Sequence, residues 1–199
     1  MLDVEGFILV GGASSRMGKD KASLAFHGQT AIERIAEQLS SITSRIALVG
    51  ARDDHAKGGM NVIADVHERW GALGGIHAAL RNSRAVWAAI VACDLPLVTR
   101  DLFARLGSFA SENVDAVVPI QPDGRPQPLC AFYRCRTCLP PLEKLIALGE
   151  HSPRSLLTLL NTRWVEANEV SDLSGAQHFF LNVNTPQDYE KAKSLLANS

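Results

Sequence analysis

The sequence has no excess of either charge: 20 Lys and Arg stand against 21 Asp and Glu, a formal net charge of −1. That balance removes the broad positive field by which proteins hold duplex nucleic acid, so no nucleic-acid partner is expected. Long apolar runs are missing as well. The longest, residues 7–10 and 86–93, fall far short of the roughly 20 residues a membrane helix needs, and no membrane span is expected. Residues 1–6 carry Asp3 and Glu5 and no basic group, and the apolar run behind them breaks into glycine. This is not the layout of a secretory signal, and a cytoplasmic location is the expectation. Four cysteines in 199 residues are too few for a disulfide scaffold. Three of them lie between 130 and 138, and Cys135-Arg136-Thr137-Cys138 has no second CxxC or HxxxH to complete a zinc site. These thiols are expected on a strand exit and the helix after it. The histidines at 27, 55, 67, 77, 151 and 178 share no ligand spacing and are expected to be structural or surface groups, with Trp70, Trp87 and Trp164 as packing residues. Low-complexity linkers and internal repeats are also absent, so residues 1–199 are expected to form one domain.

What is present is an apolar pattern that switches period along the chain, short runs without helical phase followed by longer stretches with it. This is the mark of βα units and predicts an α/β fold with a mostly parallel central sheet. Phe7-Ile8-Leu9-Val10 reads as a first central strand, residues 45–49 and 61–64 as the next two, and residues 86–93 as the strongest strand, buried on both faces. Residues 116–120 and 129–133 complete the strands, the core reaching about residue 120 and a second lobe on the same sheet following. Thr30 and Glu33 form a capping box ahead of Ile32, Ile35, Ala36, Leu39 and Ile42, and Thr99 caps a helix with an apolar stripe of Leu102, Phe103, Leu106, Phe109 and Ala110. Gly71-Ala72-Leu73-Gly74-Gly75 reads as a loop leading into a helix through Ala78, Ala79 and Leu80. Further helices are expected around Leu142, Leu145 and Ile146, after Ser152-Pro153, and after Thr185-Pro186.

The chemistry lies beyond the first strand, where a parallel sheet binds its ligands. Residues 11–21 place glycines beside Arg16, Lys19 and Lys21, with Asp20 as the single acid. Glycines admit a phosphate close to backbone N–H groups and the cations neutralise it, so this is an anion-binding loop. It is not a Walker A loop, because Gly12 and Gly18 enclose five residues and Asp20 stands where a metal-binding hydroxyl is needed. Nor does it supply the GxGxxG of a dinucleotide fold.

Leu9-Val10-Gly11-Gly12-x-Ser14-x-Arg16-Met17-Gly18-x-Asp20-Lys21 resembles the signature of the MobA-type molybdenum cofactor guanylyltransferases, within the nucleotidyltransferase superfamily. The resemblance continues through Asp65, Gly71-x-Leu73-x-Gly75, Cys93-Asp94-x-Pro96 and residues 182–186, essentially the whole chain. It implies a three-layer, Rossmann-like nucleotidyltransferase fold and transfer of GMP from GTP to the phosphate of molybdopterin, with release of pyrophosphate. It further implies that the backbone of Leu9, Val10, Gly11 and Gly12 lines guanine and ribose, and that Arg16 meets the triphosphate. Lys21 would steady charge at the α-phosphate, Asp65 would serve the nucleotide and Asp94 would hold Mg²⁺. The pterin acceptor would lie over residues 121–199, near residues 125–128, with Arg125, Arg154, Asn182 and Asn184 as its binding residues, while residues 1–120 take the nucleotide. Transient contact with other proteins of cofactor assembly is a further implication.

Within the family, glycine at position 11 favours GTP over CTP, although Val10 replaces the usual alanine beside the base pocket. Three alternatives remain open on the residues. They are a cytidylyltransferase acting on the same pterin, a sugar- or polyol-phosphate nucleotidyltransferase, and a non-catalytic protein that binds GTP.

Overall fold

The computed structural model describes residues 2–10, 24–51, 60–64 and 70–197. Nine strands appear among them: β1 (Val4–Leu9), β2 (Ala25–Phe26), β3 (Gln29–Thr30), β4 (Ile46–Val49), β5 (Asn61–Ile63), β6 (Trp87–Ala92), β7 (Ala116–Pro119), β8 (Cys130–Arg134) and β9 (Thr162–Val165). The helices are α1 (Ala31–Leu39), α2 (Gly71–Asn82), α3 (Arg100–Ser108), α4 (Cys135–Ala147), α5 (Pro153–Leu157) and α6 (Pro186–Ala197). Seven strands form one sheet in the order β5-β4-β1-β6-β8-β7-β9, and β2 and β3 form a separate hairpin. Pairings among β5, β4, β1 and β6 are parallel, as is β7 with β9, while β8 runs antiparallel to both its neighbours. Strands from either side of residue 120 thus share a single sheet.

Alternation along the strands builds a layer on each face. Ile8, Leu48, Ala89, Val91, Val117 and Phe132 pack with Ile32, Ile35 and Leu39 of α1 and Leu102, Phe103 and Leu106 of α3. Phe7, Leu9, Ala47, Val49, Ala88, Ile90 and Tyr133 face the other way, toward Leu73, Ile76 and Leu80 of α2, Cys138 and Leu142 of α4, and Leu156 and Leu157 of α5. The fold is therefore α/β in three layers around a mostly parallel sheet. The β2–β3 hairpin and α6 close a smaller cluster of Leu24, Phe26, Leu97, Val183 and Ala192.

The helix starts written into the sequence are present in the structure. Thr30 and Glu33 exchange both bonds of the capping box, Thr99 accepts from the Leu102 N–H, and Ser152 accepts from the Arg154 N–H ahead of Pro153. Two helices start earlier than their apolar periodicity suggests. The glycines expected to form a loop belong to α2 itself, and α2 needs them. A Cβ on Gly75 would stand 3.1 Å from Leu9 Cδ1, so the helix can approach the end of β1 because that position is bare. Helix α4 begins at Cys135, ahead of Pro140 and Pro141, which lie inside it. Proline withholds an N–H from the helical ladder, but burial of Cys138 and Leu142 holds this segment helical through the pair. Two packing expectations fail at the surface: Val86, at the entrance to β6, is 47% exposed, and Trp164, on the edge strand β9, is 37% exposed.

All four cysteines are free, Cys130 on β8 and Cys135 and Cys138 at the start of α4, as their spacing suggests. Burial raises the Cys130 and Cys138 thiols from 9.0 to about 12, and it also lifts the Tyr133 hydroxyl well above its ordinary value. The folded chain keeps these protons at pH values where the unfolded chain has lost them. Stability contributed by these groups is complete below the unfolded values and is lost as pH rises between them and the folded ones. The denaturant midpoint is accordingly expected to hold steady to about pH 8 and to fall through the window from 9.0 to about 12, measured by unfolding at successive pH values. Among the described residues no helix is long and apolar enough to cross a membrane.

Candidate nucleotidyl-transfer site

The carboxyl ends of β1, β4, β5 and β6 form a continuous edge. Leu9 stands level with Val49 on one side and Ala92 on the other, and Val49 with Ile63 beyond. The backbone extends this edge past the strands, with the Val10 N–H donating to Val49 O (2.8 Å), the Gly50 N–H to Ile63 O (2.9 Å) and the Cys93 N–H to Leu9 O (3.0 Å). Leu9 is buried and Val10 half-buried, both at the sheet exit from which the glycine-rich segment expected to bind an anion follows in sequence. Gly11, Gly12, Arg16 and Lys21 of that loop, and Asp65 after β5, lie outside the described residues. Strands β5 and β6 are three sheet spacings apart, about 14 Å. Helix α2 directs its N-terminus to the same edge. Its N-cap, Trp70, makes no side-chain capping bond, and the positive end of the helix dipole favours negative charge there.

Asp94 lies two residues past the end of β6, half-buried in the turn at the centre of this edge. Its carbonyl accepts the Val183 N–H at 2.9 Å. That bond ties residues 181–185 to the edge and brings Asn182 and Asn184 to either side of the tether, Asn182 half-buried and Asn184 exposed. The segment is held from its other end too: Asp188 Oδ2 accepts the N–H groups of Asn184 and Thr185, and Thr185 Oγ1 accepts the Asp188 N–H at 3.1 Å. The Thr185 side-chain hydrogen bond, and after it the backbone N–H groups of Asn184 and Thr185, hold the Asp188 carboxyl below its usual range. Asp94 and the asparagines, far apart in sequence, are thus neighbours in the fold.

The loop from β7 to β8 also opens on this edge, since β7 ends there and β8 begins there: the Ala92 N–H donates to Leu129 O at 2.8 Å. At its exposed tip the Arg125 Nε donates to Asp123 Oδ2 at 2.7 Å, so this guanidinium is already paired with a carboxylate. The pairing lowers the Asp123 pKa and raises that of Arg125. Arg154 stands exposed in the first turn of α5, two residues beyond the Ser152 cap. Next to that turn, His151 stacks on Trp70 with ring centroids 4.3 Å apart and planes 16° from parallel. The stack links the start of α2 to the start of α5. Neither ring was expected to meet the other, because nothing in local sequence connects positions 70 and 151.

Among the described residues no group of three or more His, Cys, Asp or Glu could hold a metal ion. A magnesium ion needs no such cage, since one or two carboxylates with substrate phosphates and water suffice. Asp94, a hard carboxylate on the ligand edge of the sheet, suits that arrangement.

Residues 6–167 match the family described as MobA-like NTP transferase domain. A protein of Bacillus cereus strain Q1 named probable molybdenum cofactor guanylyltransferase is 35% identical over 201 residues, covering 97% of each chain. Among solved structures, molybdopterin-guanine dinucleotide biosynthesis protein A from Archaeoglobus fulgidus superposes with a TM-score of 0.81 at 27% identity, covering 98% of this chain and 100% of that one. The 2-C-methyl-D-erythritol 4-phosphate cytidylyltransferase of Thermus thermophilus shares the fold, with a TM-score of 0.69 at 18% identity over 98% of this chain and 100% of its own.

Proposed function

Because the chain belongs to the MobA-like NTP transferase family, we propose that it is a molybdenum cofactor guanylyltransferase, moving GMP from GTP onto the phosphate of molybdopterin. The observation that carries this reading is the 35% identity, over 97% of both chains, to a relative bearing that name, together with the site signature from Leu9 to Lys21. The identity favours guanylyl over cytidylyl transfer.

In the reaction an oxygen of the acceptor phosphate attacks the α-phosphorus of GTP, and the bond from that phosphorus to the α,β-bridging oxygen breaks. Pyrophosphate leaves with the electron pair. No covalent enzyme intermediate is needed, so the work of the protein is alignment and charge neutralisation. The backbone of Leu9, Val10, Gly11 and Gly12 takes the guanine and ribose, and Arg16 pairs with the triphosphate. Lys21 steadies the charge that develops at the α-phosphate. Asp65 serves the nucleotide, and Asp94 would hold Mg²⁺. When bound, that ion supplies further neutralisation of the phosphates. Residues 1–120 bind the nucleotide, and residues 121–199 bind the acceptor through Arg154, Asn182 and Asn184, with Arg125 available once it leaves Asp123. We assign the protein to the cytoplasm and infer transient contact with the proteins that supply or receive the cofactor.

Thermal unfolding with Mg²⁺ and each of GTP, CTP, ATP and UTP tests the nucleotide assignment. A ligand at about 100 times its Kd adds roughly 2.7 kcal/mol. A shift with GTP alone supports the reading, and a shift with CTP alone moves the chain to the cytidylyl branch.

A further inference from the structure

Gln127 is the one buried polar side chain among the described residues, 7% exposed in a loop whose neighbours from 122 to 125 are all exposed. Its Oε1 accepts from the Leu129 N–H at 3.4 Å. Among the described residues nothing accepts from its Nε2. The one fully sealed side-chain nitrogen without a partner among those residues is Arg134 Nε, so the Gln127 amide nitrogen keeps a narrow opening to the outside. A largely buried amide with two donors, no acceptor and a way out calls for a reason.

The backbone around it is fixed from several directions. The Gln127 N–H donates to Pro119 O at 2.9 Å, its carbonyl accepts the Cys130 N–H at 3.2 Å, and the Tyr133 hydroxyl donates to Pro128 O at 2.8 Å. Pro126 and Pro128 flank it, and a residue ahead of proline is confined to extended backbone. The side chain is therefore placed before any ligand arrives and has little freedom to lose on binding. Its place is the ligand edge, because the loop from β7 to β8 opens there and Leu129, two residues on, accepts the Ala92 N–H. With Oε1 engaged by Leu129, the amide presents donors alone. A phosphate, which offers acceptor oxygens alone, matches that pattern. The amide edge of a pterin ring, with alternating donors and acceptors, does not.

We propose that the Gln127 amide hydrogen-bonds the phosphate of the acceptor substrate on this edge of the sheet, setting the attacking oxygen for in-line transfer. The proposal rests on the guanylyltransferase reading above. It assigns the acceptor phosphate to a neutral, buried group and leaves Arg125 at the loop tip outside the immediate contact.

The test is steady-state pyrophosphate release from GTP with molybdopterin and Mg²⁺ by the wild-type chain, Gln127→Met and Gln127→Glu, with the melting temperature of each free protein. Gln127→Met is expected to raise the KM for the acceptor at least tenfold and to leave the KM for GTP within about twofold, with a melting temperature close to that of the wild type, because the unpaired donor and the long bond from the Leu129 N–H are lost together. Gln127→Glu keeps the shape, replaces the donors with negative charge, and is expected to raise the acceptor KM further. An unchanged acceptor KM in both variants overturns the proposal, as does a rise confined to the KM for GTP. A lower melting temperature with unchanged kinetics shows a structural role instead. A wild-type chain that releases no pyrophosphate under these conditions overturns the guanylyltransferase reading itself, an outcome separate from any difference between variants.

Discussion

Replacing Asp94 with alanine is expected to lower turnover by about three orders of magnitude or more while the protein stays folded. Asp94 stands two residues past the central strand, on the edge where the first strand also ends. Removing it takes away the one described carboxylate assigned to the metal. The turn itself survives, because Asp94 anchors residues 181–185 through its backbone carbonyl, which alanine retains. Leu95 and Val98, which carry the turn into the core, are untouched. The expected pattern is therefore a collapse in kcat with a melting temperature close to that of the wild type. The stabilisation by GTP should also cease to depend on Mg²⁺. A variant that keeps wild-type turnover would remove Asp94 from the chemistry, and one that unfolds at ordinary temperature would make it a structural group.

Lys21→Ala is expected to have an effect of similar size for a different reason. Charge that grows on the α-phosphate during transfer is stabilised by a cation placed there in advance, and loss of one such group costs about 100- to 1,000-fold in kcat. Lys21 closes the run from Gly11, and no other acid than Asp20 competes for it within that run. The signature of the expected role is a fall in kcat larger than any rise in the KM for GTP. Lys21→Arg should recover a part of it, since the charge returns with a different reach and geometry. If Lys21→Ala leaves pyrophosphate release intact, the chain is a nucleotide-binding protein of another kind.

Legibility followed the range of the interactions. Where a segment is decided by its own sequence the reading and the structure agree: the capping box at Thr30, the caps at Thr99 and Ser152, and the buried run of β6. Where a distant partner decides, they part. Three glycines in five residues argue against helix on propensity, yet residues 71–75 are helical because Leu9 of β1 needs the space. The apolar spacing of Leu142, Leu145 and Ile146 places a helix around those residues, yet burial of Cys138 extends α4 back to 135, through a proline pair. Of the site, the position of Asp94 just past the end of β6 was legible from its strand. The link from its carbonyl to Val183, the pairing of Arg125 with Asp123, the stack of His151 on Trp70 and the burial of Gln127 were not. Each joins residues through the tertiary fold or depends on a loop conformation that no periodicity encodes.

The central claim is that this chain attaches GMP to a pterin phosphate. The most direct measurement is to incubate the protein and Mg²⁺ with molybdopterin and each of the four nucleoside triphosphates, and to quantify pyrophosphate while determining the mass of the pterin product. The account predicts one pyrophosphate for each pterin that gains GMP, with GTP as the productive nucleotide. A product carrying CMP, or GTP binding without any pyrophosphate or pterin adduct, would contradict it.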